Sequence, residues 1–306
     1  MLAIIFGMVL LYFGAEGLVR GSARLAARFG IPPLIIGLTI VAFGTSAPEL
    51  TVSLSAALRG AGDVAVGNAL GSNIFNIAVI LGLTALIQPP RVHQDLIRRE
   101  IPFLIVVTLL ACGLVAGGGI SRLAGGLLFL LLCAYTAFSI RQGRRSGEEE
   151  EGSGPAERTP LWQCALFIVL GLAVLVAGSH LFVLGAVEVA RGFGVSEAVI
   201  GLTIVAAGTS LPELATSVVA AVKKEADVAI GNIVGSNIFN ILCILGLTAV
   251  VSPLEVVGIG LRDALVMLAF SVVLLPFAWS QKSISRWEGG FFLLAYGGYL
   301  ALLWPR

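Results

Sequence analysis

Apolar residues fall in long runs broken by short polar ones. Ten runs stand out, at about 2–27, 32–58, 63–88, 98–118, 121–140, 161–190, 195–222, 227–251, 263–280 and 286–304. Each comes near the roughly 20 residues that a helix needs to cross a bilayer. The first continues from Leu2 past Gly14 into Glu16 and Arg20. It lacks the basic head and cleavage site of a signal peptide and reads as a first membrane helix. The one long hydrophilic stretch, Arg141–Thr159, divides the runs into five and five. Its four adjacent glutamates, Glu148 to Glu151, lack the turn-forming ligands of a calcium loop, so it reads as a solvated linker.

Charge sharpens this picture. If the connections alternate sides, 14 of the 19 Lys and Arg fall on one side and 5 on the other. The basic-rich side is expected to be cytoplasmic, with both termini outside. Hydrophobic residues make up 58% of the 306 and charged residues 12%, against roughly 25% charged in a soluble domain. With a mean hydropathy of +1.00, most of the chain needs lipid as its solvent. A net charge of +1 gives no reason to expect a nucleic-acid partner. Cys112, Cys133, Cys164 and Cys243 are scattered through apolar runs without C-x-x-C spacing and read as small packing residues. His93 and His180 stand apart and read as structural.

The halves repeat at a constant offset of 164. Gly37-Leu-Thr-Ile-Val-Ala recurs from Gly201, Gly44-Thr-Ser-Ala-Pro-Glu-Leu recurs from Gly208 with one change, and Gly71-Ser-Asn-Ile-Phe-Asn-Ile recurs from Gly235. Residues 37–89 and 201–253 share 34 identities in 53 positions without a gap. Five spans per half is an odd number, so the second half is expected to enter the membrane from the opposite face, as an inverted repeat. The expected fold is an all-α membrane protein of ten helices in two inverted repeats of five. The N-terminal repeat is 1–141, the cytoplasmic linker 142–159 and the C-terminal repeat 160–306.

Within each repeat one carboxylate stands near mid-span, Glu49 and Glu213, where it costs on the order of 3 kcal/mol on insertion scales. Pro48 and Pro212 precede them and cannot donate to Gly44 and Gly208, so helices 2 and 7 should break at Gly44–Ser46 and Gly208–Ser210. Carbonyls freed at that depth must line a cavity or bind something. The spacing Ser46-x-x-Glu49 also reads as a capping box. Asn68, Ser72 and Asn76 share one helix face, as do Asn232, Ser236 and Asn240. These polar stripes either face the glutamates or bond helices together. Gly67 and Gly71, with Gly231 and Gly235, allow close helix approach. Asp63 and Asp227 open their spans and read as N-caps. Donors that are all oxygen suit hard cations such as Na⁺ and Ca²⁺ and disfavour zinc or copper.

These motifs closely resemble the paired alpha-repeats of the sodium/calcium exchanger family, within the cation/calcium antiporter superfamily. The likeness covers about 50 residues in each half. It implies a Na⁺/Ca²⁺ antiporter with Glu49 and Glu213 as shared ligands and no cofactor. Thr45 and Thr209 would add oxygens to the Ca²⁺ site. Ala42, Thr45, Ser46 and Ser72 would line one Na⁺ site, with Ala206, Thr209, Ser210 and Ser236 lining its mirror image, and Asn76 and Asn240 would complete the centre. Some relatives, the potassium-dependent branch among them, carry aspartate at one of the central positions; asparagine at both argues against K⁺ transport. The linker is too short for the regulatory calcium domains of animal relatives.

Two other readings compete. A Ca²⁺/H⁺ antiporter would place protons on the same two carboxylates, though the Ser- and Thr-rich flanks favour Na⁺. A cation channel explains polar stripes but not an inverted repeat with broken helices. Neither repeated stretch, 37–89 or 201–253, contains the histidine that a Ser–His intramembrane enzyme would need.

Overall fold

The computed structural model describes residues 1–149, 159–194, 204, 206–258 and 261–303. The apolar runs are helices. In chain order they are α1 (Leu2–Phe29), α2 (Pro33–Thr45), α3 (Ala47–Leu58), α4 (Gly62–Ile87), α5 (Leu96–Ala116), α6 (Arg122–Glu149), α7 (Leu161–Gly192), α8 (Ala206–Thr209), α9 (Leu211–Val222), α10 (Ala226–Val251), α11 (Leu261–Gln281) and α12 (Arg286–Leu303). Among the described helices seven are long and apolar enough to cross a membrane, or eight when α2 and α3, bent by 46° at their break, are taken as one span. The first part of the expected run 195–222, with the repeated motif at Gly201, lies outside the described residues. Two short strands, β1 (Gly119–Ile120) and β2 (Leu254–Glu255), pair antiparallel and depart from an all-α expectation. The chain stays helical into the hydrophilic stretch. Helix α6 continues to Glu149, because Arg, Gln and Glu favour helix once a turn exists.

The centre of the molecule is α4 and α10. Their apolar windows are 67% and 89% buried, against 28% for α6 and α7, so the former pair forms the core and the latter faces lipid. Gly231 and Gly235 let α10 lie against α2: a Cβ on Gly235 would stand 2.8 Å from the Ala42 Cβ. The equivalent approach of Gly67 and Gly71 to the run at 195–205 lies outside the described residues. On the flank, α1 and α7 pack antiparallel along glycines seven residues apart. Gly7 meets Phe182, Gly14 meets Leu175 and Gly21 meets Ile168, so partners descend as α1 ascends.

Loop contacts sort the helix ends into two rims. At one, the Arg28 guanidinium donates to the Thr159 carbonyl (3.0 Å), Lys223 pairs with Glu16 (2.8 Å), His93 lies 3.4 Å from Asp227, and the Val92 N–H donates to the Lys282 carbonyl (2.7 Å). At the other, β1 pairs with β2, and Asp63 accepts the N–H groups of Val257 and Gly258 at 3.0 and 3.1 Å.

Those contacts correct the reading of both aspartates. The helices are capped at Ala61 and Glu225, so Asp63 and Asp227 sit inside the first turn. There they tie a neighbouring loop rather than their own helix end. Cys112, Cys164 and Cys243 are buried, Cys133 is exposed, and all four are free.

Candidate cation site

The break in each repeat sits two residues ahead of its proline. Ser46 (φ −82°, ψ 6°) separates α2 from α3, and Ser210 (φ −88°, ψ 8°) separates α8 from α9. Pro48 and Pro212 then occupy the second position of a new helix, where a missing N–H is harmless. This delivers Glu49 and Glu213 to the first turns of α3 and α9, each 1% exposed.

The expected capping box does not form. Neither Ser46 nor Ser210 caps its own helix with its side chain. Instead each serine crosses to the other repeat. The Ser46 hydroxyl donates to Glu213 Oε1 at 3.0 Å, and the Ser210 hydroxyl donates to Glu49 Oε1 at 2.9 Å. A hydroxyl can satisfy a carboxylate 167 or 161 residues away here because the two broken helices meet at their breaks.

Each stripe divides its labour. Asn68 Nδ2 donates to the Ser53 hydroxyl (2.9 Å) and the Glu49 carbonyl (3.1 Å), bracing α3 against α4. Asn232 does the same for α9, donating to the Ser217 hydroxyl (3.0 Å) and the Glu213 carbonyl (3.4 Å). One turn and more along, Asn76 Nδ2 donates to Asn237 Oδ1 (3.2 Å), and Asn240 Nδ2 donates to Asn73 Oδ1 (2.9 Å). Asn73 Nδ2 further donates to the Asn237 carbonyl at 3.1 Å. Asn73, Asn237, Ser53 and Ser217 were not singled out from sequence. The signal was present, since Asn73 and Asn76 stand i, i+3 in the repeated Gly-Ser-Asn-Ile-Phe-Asn motif and so share a side of the helix.

What remains without hydrogen-bond partners includes four buried carboxylate and amide oxygens, Glu49 Oε2, Glu213 Oε2, Asn76 Oδ1 and Asn240 Oδ1, together with the Ser236 hydroxyl and one amide nitrogen, Asn237 Nδ2. The Asn76 and Asn240 amide nitrogens are spent on holding these two asparagines, which leaves their oxygens free. Buried acceptors left unmet are costly, on the order of 1–3 kcal/mol each. A hard cation meets several at once. No group of three or more His, Cys, Asp or Glu occurs among the described residues, so the charged part of the set is two carboxylates and the rest is neutral oxygen.

The other expected site residues lie around this set. Thr45 is buried; its hydroxyl donates to the Val41 carbonyl and lies 3.1 Å from Asn232 Oδ1. Ala42 is buried and its carbonyl accepts the Ser46 N–H at 3.1 Å. Ser72 is buried in α4, Thr209 is half-buried at the end of α8, and Ala206 opens that helix. The freed Gly208 carbonyl is not left to an ion: the Ser179 hydroxyl of α7 donates to it at 2.6 Å. The equivalent residue of α1 is Ala15, which has no such donor.

Two helix features had no sequence signal. Both α4 and α10 change to π-helix at the central asparagine, over Asn76–Leu81 and Asn240–Leu245. Such widened turns are frequent at functional sites.

A family model described as "Sodium/calcium exchanger protein" matches residues 1–141 and 164–304. The inner membrane protein YrbG of Escherichia coli (strain K12) is 40% identical over 98% of this chain and 94% of its own length. The sodium/calcium exchanger MaX1 of Methanosarcina acetivorans is 31% identical over 99% of this chain and 97% of its own. A solved structure of the sodium-calcium exchanger NCX_Mj, soaked with Na⁺ and Ca²⁺, superposes with a TM-score of 0.86 at 33% identity, covering 99% of this chain and 98% of that one.

Proposed function

The chain belongs to the sodium/calcium exchanger family, a family of multi-pass membrane transporters and not of enzymes, and from that premise we propose that it exchanges Na⁺ for Ca²⁺ at one site shared by its two halves, by alternating access and without K⁺. The observation that carries this reading is the crossed pair of serine–glutamate bonds around unpartnered buried oxygens. Glu49 and Glu213 balance one Ca²⁺. Na⁺ in their place needs at least two ions, with Thr45, Ser46, Ser72 and Ala42 on one side and Thr209, Ser210, Ser236 and Ala206 on the other as neutral ligands.

Exchange follows from the same charge. Carrying two bare carboxylates through a dry, occluded state costs several kcal/mol for each. An occupied site is neutralised and crosses readily, so slow return of the empty site makes transport an obligatory exchange. Asparagine at 76 and 240 leaves no third central carboxylate to call for K⁺.

Several observations support ten spans in two inverted repeats, 1–141 and 160–306, joined by the linker 142–159. The first helix of each half, α1 and α7, runs antiparallel to the other, and the central asparagines cross-pair at separations of 161 and 167, symmetric about the repeat offset of 164. The rim that joins Arg28, Thr159, Lys223, His93 and Lys282 collects loops from the basic-rich set. That rim is the cytoplasmic one by the positive-inside rule, which puts both termini outside. Cysteines introduced at Gly147 and Arg122, with the native four removed, should react with impermeant thiol reagents from inside and outside respectively. Labelling of both from one face would break this topology.

The transport reading is tested in reconstituted vesicles. Na⁺ loaded inside should drive ⁴⁵Ca²⁺ uptake with no K⁺ present. Uptake driven by a pH gradient and indifferent to Na⁺ would replace this reading with Ca²⁺/H⁺ exchange on the same carboxylates.

A further inference from the structure

Away from the centre, a cavity of about 150 Å³ opens on the basic rim, lined by Gln94, Ile97, Arg98, Trp279 and Lys282. We propose that it binds the phosphate headgroup of an anionic phospholipid. Nothing in the exchange cycle requires it, so the inference stands apart from the transport reading.

The cavity is held by backbone. Val92 donates to the Lys282 carbonyl (2.7 Å), Ile284 donates to the Pro90 carbonyl (3.1 Å), and Arg91 pairs with Ser283, which fixes the start of α5 against the end of α11. Two cations flank the opening without a carboxylate between them. The ion pairs among the described residues are Glu16 with Arg20 and Lys223, Asp95 with Arg99, and His93 with Asp227; neither Arg98 nor Lys282 takes part. Arg98 and Lys282 offer donors alone, and the Gln94 amide can turn its NH₂ to an oxyanion on that wall. Trp279 ends α11 with its ring exposed, the place of an indole at the headgroup level. Basic pockets between helix ends on the inner leaflet are the established form of anionic headgroup recognition.

The repeat supplies its own control. At the opposite rim the same backbone bond recurs, with Val256 donating to the Gly118 carbonyl at 3.0 Å. Gly118 and Lys282 are equivalent positions and both are left-handed, at φ 85° and 51°. A glycine takes that conformation freely; a lysine does so at a cost. The equivalents of Gln94, Arg98 and Trp279 are Gly258, Arg262 and Val115, so the second cation, the amide and the indole are all missing there. Among the described residues, only one rim keeps a strained lysine facing a cavity. Lys224 (φ 65°), equivalent to Gly60 (φ 74°), shows the same exchange on the same rim but does not line the cavity. Rim charge that served orientation alone would need no cavity.

The test is native mass spectrometry of the purified full chain, offered equal phosphatidylglycerol and phosphatidylcholine. The wild type should retain phosphatidylglycerol preferentially. Arg98→Gln and Lys282→Gly should each lower that retention roughly fivefold, while Lys224→Gly should not. Because glycine relaxes the left-handed backbone, Lys282→Gly should keep or raise the melting temperature, which separates lost binding from lost folding. Equal retention of the two lipids would overturn the proposal. So would equal losses in Lys282→Gly and Lys224→Gly, which would mean diffuse rim charge. Inorganic phosphate that binds alone and displaces the lipid would assign the cavity to free phosphate instead.

Discussion

The middle of the molecule and its rims obey the repeat differently. At the centre most bonds have a mirror image: Ser46 to Glu213 and Ser210 to Glu49, Asn68 to Ser53 and Asn232 to Ser217, Asn76 to Asn237 and Asn240 to Asn73; the bond from Asn73 Nδ2 to the Asn237 carbonyl does not. At the rims the mirror fails, with Lys282 against Gly118, Lys224 against Gly60 and Trp279 against Val115. A site that must open to both sides is best served by looking alike from each. The rims never exchange environments, since each stays with one leaflet, and they diverge accordingly. Symmetry is therefore a property of what moves ions, and asymmetry of what meets the membrane.

The strongest blow to the symmetric centre is removal of a carboxylate charge. Glu49→Gln and Glu213→Gln should each lower Ca²⁺ flux by roughly 100-fold or more, the scale of breaking a buried charge pair at about 3 kcal/mol. Both proteins should still insert and fold, since an amide oxygen still accepts the crossing serine. Near-parent flux in either, measured by ⁴⁵Ca²⁺ uptake, would sink the shared site. Near-equal losses keep the two halves equivalent.

Next come the asparagines that brace the centre from behind. Asn73→Ala leaves the Asn240 amide without its acceptor, and Asn237→Ala does the same to Asn76. Each should cost about 1–3 kcal/mol of stability and weaken Ca²⁺ binding in equal measure, read by thermal unfolding and calorimetry. A fall in one variant alone would show that the halves do not share the load.

Much of this was legible in the chain. The apolar runs, the offset of 164, the breaks at Ser46 and Ser210 and the two glutamates all follow from patterns local to one helix. The resemblance to a known family then supplied Thr45, Thr209, Ala42 and Ala206, which no spacing alone marked. Partnerships between distant helices were not legible. Ser46 also read as a cap of its own helix, accepting the Glu49 N–H, but in the fold its hydroxyl donates to Glu213 instead. Asp63 and Asp227 were misread for the same reason, each drawn to a loop that sequence does not place nearby. The π turns at Asn76 and Asn240 carry no composition of their own.

The mildest prediction sits where the centre borders the flank. Ser179 meets the Gly208 carbonyl, and the equivalent Ala15 offers nothing. Ser179→Ala should therefore destabilise by about 1 kcal/mol and make the two breaks more alike. The check is thermal unfolding, together with a difference between inside-facing and outside-facing Ca²⁺ affinity smaller than the parent's. Unchanged stability would show that the break at Gly208 needs no donor from α7.

The central claim, one site built by both halves and shared by both ions, is most directly tested by equilibrium ⁴⁵Ca²⁺ binding to the purified protein in the presence of rising Na⁺. The account predicts one Ca²⁺ per chain, displaced competitively by Na⁺ with a Hill coefficient above one, and lost in Glu49→Gln and in Glu213→Gln alike. Two Ca²⁺ per chain, each lost in only one of those variants, would contradict it.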